Sequence, residues 1–353
     1  MGLRLPVGLE PATHPICAEG SQPRPPYAPE PRGAGAGSDS PFADGYTAAA
    51  PTTMEKSAGQ RPHAILSHLL APRGCGRLRP LHRAVSGKVV LVTGASFGIG
   101  SALARRLGAA GATVLLVARS QGQLQAVADA IVAAGGRAEA IPLDLADSQQ
   151  IATQVDYIQR VHGGVDIVVH NAAKSIRRSL SLSLDRAHDF QRCMAVNYLG
   201  AVQLQLALLP GMLARKRGHI VGVSTVGVRL PPAPRWAAYL SAKAAFDVWL
   251  GCAAPELRRS GIATTSVYLS LVHTRMSAPT PTLRNLPGQT ADEAAQVLCR
   301  ALIRRPRRCG PWWLGPVSWL AWPLTTPLEW LHGWLFQRTQ DSHAARGGSD
   351  DVP

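Results

Sequence analysis

Lys88-Val89-Val90-Leu91-Val92-Thr93-Gly94-Ala95-Ser96-Phe97-Gly98-Ile99-Gly100 decides how the rest of this sequence reads. Its first half is a continuous apolar, largely β-branched run that ends at a glycine. Without polar alternation both faces of such a strand must be covered, which is the condition of a buried parallel strand. Its second half carries glycines at 94, 98 and 100, and residues 101–111 follow with helical spacing and a terminal glycine. Strand, glycine turn and helix N-terminus in that order form an anion site. The glycines let the backbone approach a pyrophosphate, and the helix terminus favours its charge. A glycine pattern alone is weak evidence; this placement is what the mechanism requires. Gly94, Ser96, Phe97, Gly98, Ile99 and Gly100 are therefore the expected dinucleotide cradle.

The alternation continues on the C-terminal side. Residues 112–119 read as a strand, 123–136 as a helix ending in two glycines, 137–145 as a strand, 147–163 as a helix and 165–173 as a strand. A helix over 185–216, in one or two pieces, precedes strand 219–224, helix 236–259 and strand 263–269. Thr290-Ala291-Asp292-Glu293 is a capping-box match that opens a last helix to Arg304. Strands alternating with helices in this way predict an α/β fold, a doubly wound parallel sheet with helices on both faces.

The ends of the strands supply the remaining cofactor contacts. An acid after the second strand would bond a ribose 2′-hydroxyl, and a basic residue would accept a 2′-phosphate. Val117-Ala118-Arg119-Ser120 has no acid, and Arg119 and Ser120 both suit a phosphate. NADP(H) is favoured over NAD(H). Asp144-Leu145 places a carboxylate within reach of an adenine amino group, and Asn171-Ala172 is placed to hold the backbone around the cofactor. Tyr239 and Lys243 stand four apart on one helix face. A neighbouring ammonium favours phenolate and lowers the phenol from its usual pKa of ~10, which suits proton exchange with a carbonyl or alcohol. Ser224 adds a hydroxyl at the carboxyl end of the fifth strand, the edge where parallel sheets bind ligands.

Together these residues resemble the short-chain dehydrogenase/reductase superfamily, in its compact single-domain Rossmann-type branch, from about Lys88 to Thr274. The resemblance implies that Tyr239 is the acid/base, that Lys243 binds the nicotinamide ribose and tunes it, and that Ser224 orients the substrate carbonyl. It implies that Asn197 holds a water in a proton relay, and that Val272 and Thr274 contact the carboxamide. It also implies a homo-oligomer, a dimer or tetramer. Three departures stand out. His170-Asn171-Ala172-Ala173 replaces Asn-Asn-Ala-Gly, Leu269-Ser270 replaces Pro-Gly, and the Ser224-to-Tyr239 interval is two residues longer than usual. The stretch from Leu271 to Thr280 is similar to actinobacterial lipid-metabolism reductases, which implies an acyl-chain or other lipophilic substrate. The competing reading is a membrane-associated NADP-binding scaffold or sensor without turnover; the filled catalytic positions argue against it.

Composition bounds the rest. The 37 Lys and Arg exceed the 22 Asp and Glu by 15, but residues 87–275 hold 20 of the basic groups. The excess thus lies in the predicted domain and not in a basic arm, and no zinc-finger or RNP pattern accompanies it, so no nucleic acid is expected. The six scattered cysteines form no C-x-x-C pair, no metal site is expected, and with no secretory signal the compartment reads as cytoplasmic.

Residues 1–53 carry 10 of 28 prolines and read as a disordered extension, with Met54 an alternative start. Residues 54–86 form a basic lead-in in which Ile65, Leu66, Leu69 and Leu70 make a short apolar face. The catalytic domain is expected over 87–309, a Trp-rich segment over 310–338 and a disordered tail over 339–353. Six of eight tryptophans fall between 312 and 334, after Arg300, Arg304, Arg305, Arg307 and Arg308. The favoured reading of 311–336 is peripheral contact with an anionic membrane, against a pocket cap, an oligomer contact or a span.

Overall fold

The computed structural model describes residues 66, 70–321, 323–341 and 344–346. The expectations for residues 1–53, for Met54, Ile65 and Leu69, and for Trp322 lie outside them. Helix α1 (Leu78–Val85) leads into β1 (Val89–Thr93), α2 (Gly98–Ala109), β2 (Thr113–Ala118), α3 (Gln121–Ala133) and β3 (Arg137–Pro142). Then come α4 (Ser148–His162), β4 (Ile167–His170), α5 (Ala187–Met194), α6 (Gly200–Ala214), β5 (Gly218–Thr225), α7 (Ala237–Arg259) and β6 (Ile262–Leu269). The short α8 (Pro281–Arg284), α9 (Ala291–Arg304), β7 (Arg308–Cys309), α10 (Leu314–Ala321) and α11 (Thr325–Arg338) complete the order.

The strands form one parallel sheet in the order β3-β2-β1-β4-β5-β6-β7. Side chains alternate faces along a strand, so each strand feeds two cores. On one face Val90 and Val92 pack with Leu103, Leu124 and Leu298, from α2, α3 and α9. On the other Leu91 and Val168 pack with Ile151, Leu204 and Leu250, from α4, α6 and α7. The sheet is therefore doubly wound, and the strand order reverses between β1 and β4. That switch point opens a crevice at the carboxyl edge.

Local signals set the helix ends. Asp147 accepts the backbone N–H of Gln149 and Gln150 at the start of α4, and Gly163 ends it in the left-handed region at φ +67°. The Thr290–Glu293 capping box opens α9. The helix expected over 185–216 is broken by a π-helical turn at Ala195–Leu199. Residues 187–214 are the described stretch long and apolar enough to cross a membrane. Its Leu204, Gln205, Leu208 and Met212 are buried in the core.

Two features of the C-terminal region depend on the tertiary structure. The arginine run is divided: Arg308 acts electrostatically on Tyr268, near the carboxyl end of β6, and Arg305 lies at the other edge. α9 begins at the carboxyl edge, where Gln289 bridges to Val272 beyond β6, and runs back along the sheet. Its Arg305 acts electrostatically on Lys88 and His219, near the starts of β1 and β5. Residues adjacent in sequence thus point to opposite edges. The tail is not free from residue 339, which corrects the expected disorder. Asp341 accepts the backbone N–H of Ser179 at 2.9 Å, and Ala345 accepts a hydrogen bond from Arg178.

Candidate active site

One cavity of about 720 Å³ runs along the carboxyl edge from the glycine turn to α10 and α11. Ser96, Phe97, Ile99, Gly94 and Gly98 line one end, with Arg119, Ser120, Asp144, Leu145, Asn171 and Ala172. Ser224, Tyr239, Lys243, Val272 and Thr274 line its middle. Two of the predicted site residues stand behind the wall, Gly100 and Asn197.

The cradle is built by backbone approach. Gly94 and Gly98 sit at φ +66° and +60°, where a side chain would be strained. A Cβ at Gly100 would lie 2.2 Å from the Gly94 carbonyl oxygen, so only glycine lets α2 pack against the turn. Thr93, buried to 1% exposure, uses its Oγ1 to accept the N–H of Asn171 at 3.0 Å and of Ala172 at 2.9 Å. Asn171 returns its side-chain amide to the carbonyls of Thr93 at 3.0 Å and Gly94 at 3.2 Å. Two loops from adjacent strands thereby lock each other around the switch point. Arg119 and Ser120 stand exposed just past β2, with no acid at the strand end.

The reacting end is drier. Ser224 Oγ is buried and has no hydrogen-bond partner among the described residues. An orphaned buried hydroxyl costs stability, and one that lines a cavity is available to a ligand oxygen. Tyr239 rests edge-on against Trp236, ring centroids 5.8 Å apart. Lys243 Nζ donates to the Val223 carbonyl at 2.9 Å, not to the phenol. This corrects the expected depression of the tyrosine: desolvation, with a smaller effect of Cys193, pushes the Tyr239 phenol up to about 12. Desolvation also brings Lys243 down to about 8. The phenol is thus a neutral proton donor at ordinary pH, beside a lysine that titrates near it.

Asn197 stands on the π-helical turn, with its side chain fully engaged. Its Oδ1 accepts Lys174 N–H at 2.7 Å and its Nδ2 donates to Lys174 O at 2.9 Å. It therefore fixes the loop after β4. The His170 that departs from the family pattern is buried behind the sheet, bonded to Gln205 Oε1 at 3.0 Å and tilted on Phe246. Burial lowers it to about 4, so it stays neutral. Trp236, Val317, Ala321, Leu328 and His332 also line the cavity; the last four fall in 311–336, for which a pocket cap was the alternative to membrane contact, and the sequence had not singled them out individually. The one signal for the last four was their helical spacing within a Trp-rich run.

Residues 88–284 match the sequence profile of the short chain dehydrogenases. This chain belongs to the short-chain dehydrogenase family. It is 45% identical over 267 residues to an uncharacterized oxidoreductase of Mycobacterium bovis, covering 70% of this chain and 78% of the relative. It is 46% identical over 231 residues to a fatty acyl-CoA reductase of Acinetobacter baylyi, covering 64% and 76%. A metagenomic short-chain oxidoreductase solved in complex with NADP matches with a TM-score of 0.55 and 33% identity, covering 63% of this chain and 93% of that one. The protein is thus a short-chain oxidoreductase, and the family explains the paired cradle and Ser-Tyr-Lys cluster in one cavity. The glycine turn, the exposed Arg119 and the orphaned Ser224 in one cavity fit a nicotinamide dinucleotide.

Proposed function

We propose that the protein is an NADP(H)-dependent reductase of the carbonyl group of an acyl chain or similar lipophilic substrate. The observation that carries this reading is the single cavity, with a polar dinucleotide cradle at one end and an apolar wall of C-terminal helices at the other. Leu230, Leu240, Met276, Leu283 and Leu328 line that far portion, as a long hydrocarbon chain requires. The resemblance to fatty acyl-CoA reductases supports the same substrate class.

The bound dinucleotide would supply the hydride. Ser224 Oγ hydrogen-bonds the substrate carbonyl oxygen and fixes its direction, and the Tyr239 phenol gives that oxygen its proton. Lys243, protonated below about 8, stabilises the phenolate left behind. Asn197, at the family's proton-relay position, holds the loop beneath the cluster through its two bonds to Lys174. Arg119, with Ser120, pairs the 2′-phosphate, since a guanidinium binds phosphate bidentately. Asp144 and Leu145 take the adenine side, and Val272 and Thr274 the carboxamide. Residues 87–309 form the catalytic unit.

Two associations complete the proposal. α10 and α11, of 8 and 14 residues, are each shorter than the ~20 residues of a spanning helix. They expose Trp319 and Trp330 to 79% and 78% on the side away from the cavity, so segment 311–336 lies on an anionic membrane surface. Arg275, over the Phe97 ring at 5.4 Å, and Arg338, over Trp334 at 3.9 Å, are the cations at that edge. Leu199, Leu206 and Leu213 form an exposed stripe at seven-residue spacing along α6, which supports a homo-oligomer. The enzyme is placed in the cytoplasm, peripheral to the membrane.

The test is a panel of aldehydes and ketones of graded chain length, each with NADPH and NADH. Oxidation of NADPH that strengthens with chain length supports the reading. Tight NADPH binding with no turnover on any carbonyl would favour a cofactor-binding scaffold instead.

A further inference from the structure

Arg235 joins the loop before α7 to the end of α11 and the residues after it. It lies in the Ser224-to-Tyr239 interval that is two residues longer than the family pattern, and its exposure is only 9%. Its backbone is at φ +70°, in the left-handed region that a long side chain rarely occupies. Such strain persists only where surrounding contacts hold it, and here they are visible. Its Nη1 donates to Thr339 Oγ1 at 2.8 Å, and Nη2 donates to Thr339 O at 2.7 Å and Phe336 O at 3.3 Å. Nε stands 3.3 Å from Asp341 Oδ2, and the guanidinium lies 4.1 Å over the Phe336 ring. Phe336 is in the last turn of α11, where its carbonyl also accepts the Thr339 N–H, and the fork adds a second donor to it and one to the Thr339 carbonyl.

The loop after β4 completes the grip. Arg178 N–H donates to Arg235 O at 2.8 Å, and Asp341 accepts Ser179 N–H. Burial opposes ionisation of Asp341, but the Ser179 and Arg235 hydrogen bonds outweigh it and hold the carboxyl below its ordinary range. α11, held in this way at its end, presents Leu328 and His332 to the cavity, and α10 before it presents Val317 and Ala321. Their spacings of four place each pair on one helix face.

We propose that Arg235 is a positioning residue for substrate chain length: it clamps the end of α11 so that Ala321 and Leu328 close the far wall of the cavity on the end of a long hydrocarbon chain. This rests on the lipophilic-substrate reading above. Arg235 makes no hydrogen bond to the cradle or to the Ser-Tyr-Lys side chains, but it adjoins Trp236, which packs on Tyr239. The wall is therefore read from the long-chain defect in excess of the short-chain one.

The experiment uses the full-length protein and compares Arg235→Gln, Arg235→Lys and Ala321→Phe with the wild type. Three quantities are read: KM and kcat for butanal and dodecanal with NADPH, the Kd of dodecanol from tryptophan fluorescence, and hydrogen exchange over residues 325–341. Arg235→Gln removes the fork, so exchange at 336–341 accelerates; a KM for dodecanal raised about tenfold is the expected size for losing charge-assisted bonds. Butanal kinetics stay within about twofold, a smaller loss than that for dodecanal. Arg235→Lys keeps the charge without the fork and shows the same selective defect. Ala321→Phe, which fills the wall without touching the clamp, weakens dodecanal about tenfold or more, a larger loss than it causes for butanal.

Equal losses on both chain lengths in Arg235→Gln, or wild-type behaviour of Arg235→Lys, would overturn the clamp. Unchanged dodecanol affinity in Ala321→Phe would overturn the wall. If no aldehyde turns over at all, the reductase reading fails on its own, and dodecanol affinity with exchange still decides the clamp.

Discussion

Replacing Thr93 by valine removes one oxygen from the floor of the site and changes little else. The side chain is 1% exposed, and valine keeps its branched shape, so no cavity opens. What is lost is the acceptor for two backbone donors, Asn171 N–H at 3.0 Å and Ala172 N–H at 2.9 Å, and a weak donation to Val169 O at 3.4 Å. Asn171 N–H keeps a second acceptor, Val169 O at 3.0 Å, so Ala172 N–H is the donor left unpaired, at a cost of about 1–3 kcal/mol. Part of this appears as global instability. Part appears locally, because Asn171 is the residue that holds the Thr93 and Gly94 carbonyls. If it relaxes, the cradle opens and NADPH binds at least about tenfold more weakly, a change of about 1.4 kcal/mol. Urea unfolding measures the first part and NADPH fluorescence titration the second. Thr93→Ser keeps the oxygen and is the control, expected to lose less than half as much on either measure. A Thr93→Val protein with the wild-type urea midpoint and NADPH affinity would refute the argument that this hydroxyl joins the two loops.

Four further outcomes are expected. Tyr239→Phe abolishes NADPH oxidation and leaves NADPH affinity largely intact, as binding and single-turnover measurements will show; residual turnover near wild type contradicts its role as proton donor. Arg119→Ala raises the KM for NADPH far more than that for NADH, and equal effects in steady-state kinetics would count against 2′-phosphate recognition. Lys243 is a cation below its lowered pKa of about 8 and neutral above it, so reductive kcat/KM is flat toward neutrality and falls above about pH 8. A profile that stays flat to pH 10 would remove Lys243 from the mechanism. Trp319→Asp with Trp330→Asp, both on the exposed side, releases the protein from anionic vesicles in a flotation assay without loss of butanal turnover; unchanged flotation contradicts the interfacial reading.

The alternating strands and helices were legible because burial on both faces of a parallel sheet leaves uninterrupted apolar runs, and because caps such as Asp147 and Thr290 mark where helices begin. Positions that act through their own backbone geometry were legible too. Gly94, Gly98 and Gly100 announce a tight approach wherever the chain is placed, and Tyr239 and Lys243 share a helix face by spacing alone. Less was readable where function depends on what lies across space. The two-residue strand β7 has no periodicity of its own and exists through pairing with β6. The Tyr239 phenol was expected to fall and instead rises, because desolvation depends on the walls of the pocket and the lysine ammonium turns to Val223.

From residue order alone come the doubly wound sheet, its glycine turn and the pairing of Tyr239 with Lys243 on one helix face, since each rests on local spacing and local backbone freedom. Tertiary structure decided what the C-terminal residues do. It sent the Arg305 end of α9 toward the amino edge and laid α10 and α11 over the cavity at the carboxyl edge. It also brought Arg235 to Thr339 and Asp341, 104 and 106 positions away in the chain. No periodicity encodes such a meeting; it follows from where the sheet ends and where an unsatisfied helix terminus finds a donor.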